Sequence, residues 1–162
     1  MTERDVRIES LKPMRVAAAL GFGTSPEDEA WGKLFDWIWK QGLAAEIGQM
    51  RWFGFNSPGP DIGSPNYGYE QWCTVGPEAV GSGDVIIKEC PGGRYAVVRC
   101  PFERLIETWK EFVAWPEDST YQYADDHCLE ELLTPWMMVA RAAGEPVNMG
   151  DLRFDLWLPV LE

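Results

Sequence analysis

The chain has 162 residues, 46% of them hydrophobic and 25% charged, which suits one domain, or two small halves sharing a core, with a substantial buried interior. Its formal net charge is −12. So acidic a surface repels a phosphate backbone, and with no Lys/Arg cluster or helix–turn–helix pattern it argues against direct nucleic-acid binding and favours cationic or neutral ligands over anionic ones.

From the N-terminus, Val6 to Leu20 reads as a strand interrupted near Pro13 and broken by Gly21 and Gly23. Ser25 then offers a cap, Pro26 the first helical position, and Glu27, Asp28 and Glu29 complement the positive helix end. Trp31, Leu34, Phe35 and Ile38 recur at helical spacing on one face, and Gly42 marks the stop. Met50 to Phe55 reads as a strand, Asn56 to Asn66 as a loop, and Tyr67 to Val75 as a strong strand. The turn-rich run Gly76 to Gly83 is the expected boundary between two halves, about 1–80 and 81–162.

The second half repeats the order. Asp84 to Glu89 and Tyr95 to Cys100 are strands around the turn Pro91-Gly92-Gly93. A helix from about Glu103 to Ala114 is expected to bury Leu105, Ile106, Trp109, Phe112 and Val113, and Pro116 ends it. His127 to Leu133 and Phe154 to Leu161 read as strands, separated by the long segment Thr134 to Arg153. Strand, helix, strand, strand, twice over, implies an α+β fold. It consists of duplicated βαββ modules forming an antiparallel sheet, with two main helices on one face.

Nine Trp, five Tyr and seven Phe exceed what a core of this size usually holds. Some of that surplus is expected to line a cavity, where aromatic faces stack on flat ligands or attract cations; an aromatic-rich core is the alternative. The four cysteines, Cys73, Cys90, Cys100 and Cys128, form no CxxC pair, and His127 is the single histidine. No metal site or other cofactor is expected, and buried, reduced thiols are. Without a recognisable signal peptide or an apolar run near ~18 residues, the protein is expected in the cytoplasm and off the membrane.

The run Val85-Ile86-Ile87-Lys88-Glu89-Cys90-Pro91-Gly92-Gly93-Arg94-Tyr95-Ala96-Val97-Val98-Arg99 resembles the central segment of GyrI-like small-molecule-binding domains. That family includes the effector-binding domains of bacterial multidrug-sensing transcription activators. The resemblance continues through Tyr67-Gly68-Tyr69-Glu70-Gln71-Trp72, Cys128-Leu129-Glu130 and Phe154-Asp155-Leu156-Trp157-Leu158-Pro159-Val160. It implies a stand-alone member whose helix-free face forms a cleft for a hydrophobic ligand. Family members act as drug sensors, as binding proteins including a gyrase inhibitor, and as hydrolases that open cyclopropane rings.

The resemblance places Glu130 in the pocket, as an acid facing cationic ligands. Strand alternation puts Phe154, Leu156 and Leu158 on one face, against the helices, and Asp155 and Trp157 on the other. Glu70 and Trp72 share a face. If Glu70 also enters the cavity, Glu70 and Glu130 make a two-carboxylate site, in which one acid activates water and the other donates a proton. Alternatively Glu70 pairs with Arg51 or Arg99. Tyr95 presents its hydroxyl to a ligand or packs beneath the sheet. Trp136 and Met137, with Met138, form a lid or a docked core helix.

The leading expectation is therefore a binder of lipophilic compounds, cationic ones included, with Glu130, Glu70, Trp72, Tyr95, Trp157, Trp136 and Met137 as ligand contacts. The alternatives are a hydrolase using Glu130 and Glu70, and an acidic module that docks on a protein partner. No nucleophile elbow, P-loop or dinucleotide fingerprint supports another enzyme class.

Overall fold

The computed structural model describes residues 5–59 and 61–161; Pro60, within the expected loop 56–66, lies outside the described residues. In chain order the elements are β1 (Arg7–Leu11), β2 (Met14–Gly23), α1 (Pro26–Lys40), β3 (Trp52–Asn56), β4 (Tyr67–Thr74) and β5 (Val85–Cys90). They continue with β6 (Gly93–Pro101), α2 (Leu105–Ala114), β7 (Leu129–Leu132), α3 (Pro135–Ala142) and β8 (Arg153–Pro159). Two compact units result. The central unit runs from Met14 to Cys90, and the terminal unit combines the chain up to Pro13 with the chain from Pro91 onward.

In the central unit the strands lie antiparallel in the order β3-β4-β2-β5. Helix α1 begins as its sequence dictates, with Pro26 in its first turn and three acids beside it, although the Ser25 hydroxyl makes no capping bond. Its buried residues include Ala30, Trp31, Leu34, Phe35 and Ile38. Trp31 stacks on Trp52 of β3 with ring centroids 4.7 Å apart, which identifies the sheet face the helix covers. Gly21 does not break β2; it lets the helix approach. A Cβ there would stand 2.0 Å from the carbonyl oxygen of Pro26, so only glycine admits the contact.

The terminal unit orders its strands β1-β6-β8-β7, again antiparallel. Ala96, Val98 and Cys100 of β6, Leu156 and Leu158 of β8, and Phe112 and Trp115 form its core, with Phe154 packed against it. The helix-facing set expected on the last strand is thus in place. Helix α2 is rotated from the expected stripe, however. Thr108 and Phe112 are buried, Leu105 and Trp109 half-buried, while Ile106 and Val113 are exposed. A ten-residue helix buries a narrow arc, and five apolar residues over nine positions span more than that arc can hold.

Both units contain a βαββ module, β2-α1-β3-β4 and β6-α2-β7-β8, with the module's strands in the same spatial order. The strand preceding each module pairs with the other one: β1 lies beside β6, and β5 beside β2. In the order of elements the Gly76–Gly83 run separates the two strand-plus-module halves, but it does not separate the two compact units. It joins β4 to β5 inside the central unit, and the units change over at Pro13 and Pro91 instead. The second changeover needs glycine. Gly92 has φ +72°, and a Cβ on it would lie 2.0 Å from the Leu11 carbonyl oxygen.

Candidate functional site

Cross-strand register sorts the side chains by face, because directly paired residues project to the same side. In the central unit Trp52 pairs with Cys73, so β4 residues 69, 71 and 73 face α1. The helix-free face carries Phe53 and Phe55 of β3, Glu70 and Trp72 of β4, Ala18, Leu20 and Phe22 of β2, and Ile86 and Lys88 of β5. Glu70 and Trp72 share a face there, as alternation requires.

Glu70 is buried, at 8% exposure. The Trp72 indole Nε1–H donates to its Oε1 at 3.1 Å, and the Lys88 ammonium donates to the same oxygen. Lys88 is therefore its ion partner, in place of Arg51 or Arg99. Arg51 lies over the Phe53 ring at 4.9 Å, and Arg99 serves Asp155. Phe55 packs edge-on against Trp72 at 5.1 Å. Around this buried group the same face exposes large apolar side chains. Leu20, directly opposite Glu70, is 48% exposed, Phe22 60% and Ile86 54%.

On the face of the terminal sheet opposite α2, Tyr95 meets Trp157 edge-to-face at 5.8 Å, and both are buried. Asp155, 3% exposed, accepts two hydrogen bonds from Arg99, at 2.8 and 3.0 Å, and one from Arg7. This pairing raises the already high pKa of Arg99 further, against the opposing effect of desolvation. Glu131 stands opposite Asp155 in register and is also buried.

Glu130 lies on the α2 side of the terminal sheet. It pairs with Leu156, a residue of the helix-side core, and its Oε1 accepts the Nε1–H of Trp109 at 2.9 Å. Strand alternation gives the face opposite α2 to Glu131 instead. Glu130 thus faces α2 across its own sheet, whereas Glu70 lies on the face of its own sheet opposite α1. Sequence analysis did not single out Lys88, Asp155 or Glu131, and it offered Arg99 as a partner of Glu70 where Arg99 bonds Asp155. Alternation had already turned Asp155 away from the helices, but choosing between Glu130 and Glu131 needs the β7–β8 register.

Trp136 and Met137 begin α3. Trp136 is 62% exposed, Met137 half-buried, and Met138 turns inward. A cavity of about 580 Å³ in the central unit, lined by Gln41, Leu43, Glu46, Met50, Val75 and Glu78 among others, contains none of the expected contacts. The four thiols are free; Cys73 and Cys100 are buried, and Cys90 and Cys128 half-buried. Burial pushes the Cys73 thiol up to about 12, and raises Cys100 and Cys128 as well. Among the described residues, no three His, Cys, Asp or Glu side chains gather as metal ligands, and no helix is long and apolar enough to cross a membrane.

Residues 7–160 match the model of the Cass2 family, described as integron-associated effector binding protein. No curated protein matches the sequence. Among solved structures, EcmrR in its DNA complex aligns with a TM-score of 0.69 at 15% identity, covering 99% of this chain and 60% of EcmrR. The chain thus spans about 60% of the length of that neighbour. The EcmrR C-terminal domain alone gives 0.69 at 14% identity, with 97% of each chain covered. A hydrolase from Listeria innocua gives 0.67 at 12% identity, covering 99% of this chain and 94% of that one. SAV2435 bound to tetraphenylphosphonium gives 0.50 at 9% identity, covering 96% and 93%. At these identities the likeness establishes the fold.

Proposed function

The chain belongs to the family of integron-associated effector binding proteins, and from that premise we propose that it binds a lipophilic small molecule on the helix-free face of the central unit, around Glu70 and Trp72. One observation carries this reading. Leu20, Phe22 and Ile86, each about half exposed, surround a buried, ion-paired carboxylate on one sheet face. Apolar side chains clustered at the surface around a fixed polar group are the make-up of a ligand site, in which the apolar walls supply affinity and the polar group orientation. A strand face needed only for packing would have covered them. The tetraphenylphosphonium held by SAV2435 supplies a probe of suitable size and apolarity.

Titration with tetraphenylphosphonium and with neutral triaryl compounds, followed by tryptophan emission, tests the reading. Micromolar binding of at least one probe is expected, about −8 kcal/mol at 1 μM. Phe22→Ser removes exposed surface and no core, so the unfolding midpoint should hold while affinity falls by roughly five- to tenfold. Should Phe22→Ser and Leu20→Ser both bind as the wild type does, the ligand sits elsewhere.

A further inference from the structure

The charge of Glu70 is answered from within the chain. Both of its hydrogen bonds, from the Lys88 ammonium and from the Trp72 indole, fall on Oε1. Among the described residues no donor reaches Oε2. The Glu70 side chain keeps 11% of its surface exposed and that of Lys88 keeps 37%, so the pair lies at the floor of the apolar surface rather than sealed beneath it. Lys88 comes from β5, the edge strand beside β2, and reaches over β2 to Glu70 on β4. Ala18, the β2 residue opposite both Trp72 and Ile86, is small enough to leave that path open.

An isolated carboxylate among apolar groups attracts any lipophilic cation. Once an ammonium is seated on it, the pair has no net charge. An incoming cation must then displace Lys88 or lie beside a like charge. Oε2 is not among the buried atoms left without a partner; a ligand that covers it without offering a donor strips it of water, which carries a desolvation cost. We propose that Lys88 is a specificity-determining residue: by occupying Oε1 of Glu70 it makes the site select neutral lipophilic compounds bearing a hydroxyl or N–H group for Oε2, over permanently charged cations without a donor. This inference rests on the binding surface proposed above and specifies its ligand chemistry.

Three probes of related shape separate the factors: triphenylmethanol, neutral with an O–H; triphenylmethane, neutral without one; and tetraphenylphosphonium, charged without one. Wild-type protein should bind triphenylmethanol about tenfold more tightly than triphenylmethane, the discrimination expected from a hydrogen bond to a charged acceptor. Lys88→Met keeps an apolar stem and removes the charge. It should raise tetraphenylphosphonium affinity by about tenfold or more, as an unmasked carboxylate attracts the cation. Lys88→Arg should retain wild-type selectivity, and Glu70→Gln combined with Lys88→Met should abolish the gain. The wild-type comparison stands even if a variant folds poorly. Equal binding of triphenylmethanol and triphenylmethane by the wild type overturns the proposal, as does a Lys88→Met protein whose tetraphenylphosphonium affinity is unchanged. If none of the three probes binds the wild type or any variant, the binding surface itself is refuted, and the role of Lys88 with it.

Discussion

The indole N–H of Trp109 donates to Oε1 of Glu130 at 2.9 Å, tying α2 to β7 on the helix side of the terminal sheet. The bond joins two half-buried residues. Gln at position 130 offers an acceptor of the same shape. Glu130→Gln should therefore leave ligand affinity unchanged within about twofold and cost no more than about 1 kcal/mol in stability. Trp109→Phe, which removes the donor and part of the packing against Phe112, should cost about 1–3 kcal/mol. Denaturant unfolding and probe titration of both variants check this. A tenfold affinity loss in Glu130→Gln with unchanged stability would return Glu130 to the ligand site.

Asp155 is the most buried charged residue among those described, at 3% exposure, and it serves two guanidinium groups. In Asp155→Asn the charge that disappears is the buried one. The side chains left behind, Arg99 at 61% and Arg7 at 38% exposure, can turn to water. The cost should be about 1–2 kcal/mol, below the roughly 3–5 kcal/mol expected when a buried charge is stranded. Arg99→Met should cost less again, because Arg7 still neutralises Asp155. Urea midpoints measured at low and high salt decide the matter. A loss beyond about 4 kcal/mol for Asp155→Asn would mean the guanidiniums are held where water cannot reach them.

Burial raises the Cys73 thiol from 9.0 to about 12, with the Ala17 backbone pulling in the opposite sense. Its folded-state pKa therefore lies above that of the unfolded chain. The associated stability is fully present below about pH 8.5, the ordinary thiol range, and is lost as pH rises from there toward 12. Wild-type unfolding midpoints should fall between pH 8.5 and 10.5 more steeply than those of Cys73→Ala, whatever the difference at pH 7. Parallel slopes would show that the Cys73 thiol titrates normally in the folded protein.

How far the sequence reveals this molecule differs between elements. Helix α1 was legible because Pro26, three acids and a four-residue apolar stripe all state the same answer locally. The repeat was legible as an order of elements, but the exchange of β1 and β5 was not. Which strand a segment pairs with depends on contacts distant in sequence, and nothing local in Arg7–Leu11 distinguishes β6 from β2 as its neighbour. The same holds for the site. Alternation placed Glu70 with Trp72 on one strand, and Asp155 with Trp157 on another, because a period of two needs no partner. It could not place Glu130 against Glu131, since a one-residue choice on a four-residue strand is set by register with β8. Lys88 was invisible as a partner of Glu70 because its strand joins that sheet only through the exchange. The aromatic surplus also divides in a way composition hides. Trp31 and Trp52 stack in the central core, Trp109 and Trp115 flank Phe112 in the terminal one, and Trp72 and Trp157 lie on the sheet faces opposite α1 and α2.

The most direct test of the binding surface is the indole N–H spectrum of ¹⁵N-labelled protein, in which each of the nine tryptophans contributes one signal, titrated with whichever triaryl probe binds. Trp72 Nε1–H is hydrogen-bonded to Glu70, at the centre of the proposed site, while Trp31, Trp52, Trp109 and Trp115 belong to the helix-side cores. Binding at the proposed site should move the Trp72 signal most, lose that movement in Phe22→Ser at the same probe concentration, and leave the four helix-side signals in place. A saturable shift confined to those four, or to the exposed Trp39 and Trp136, with Trp72 unmoved, would contradict it.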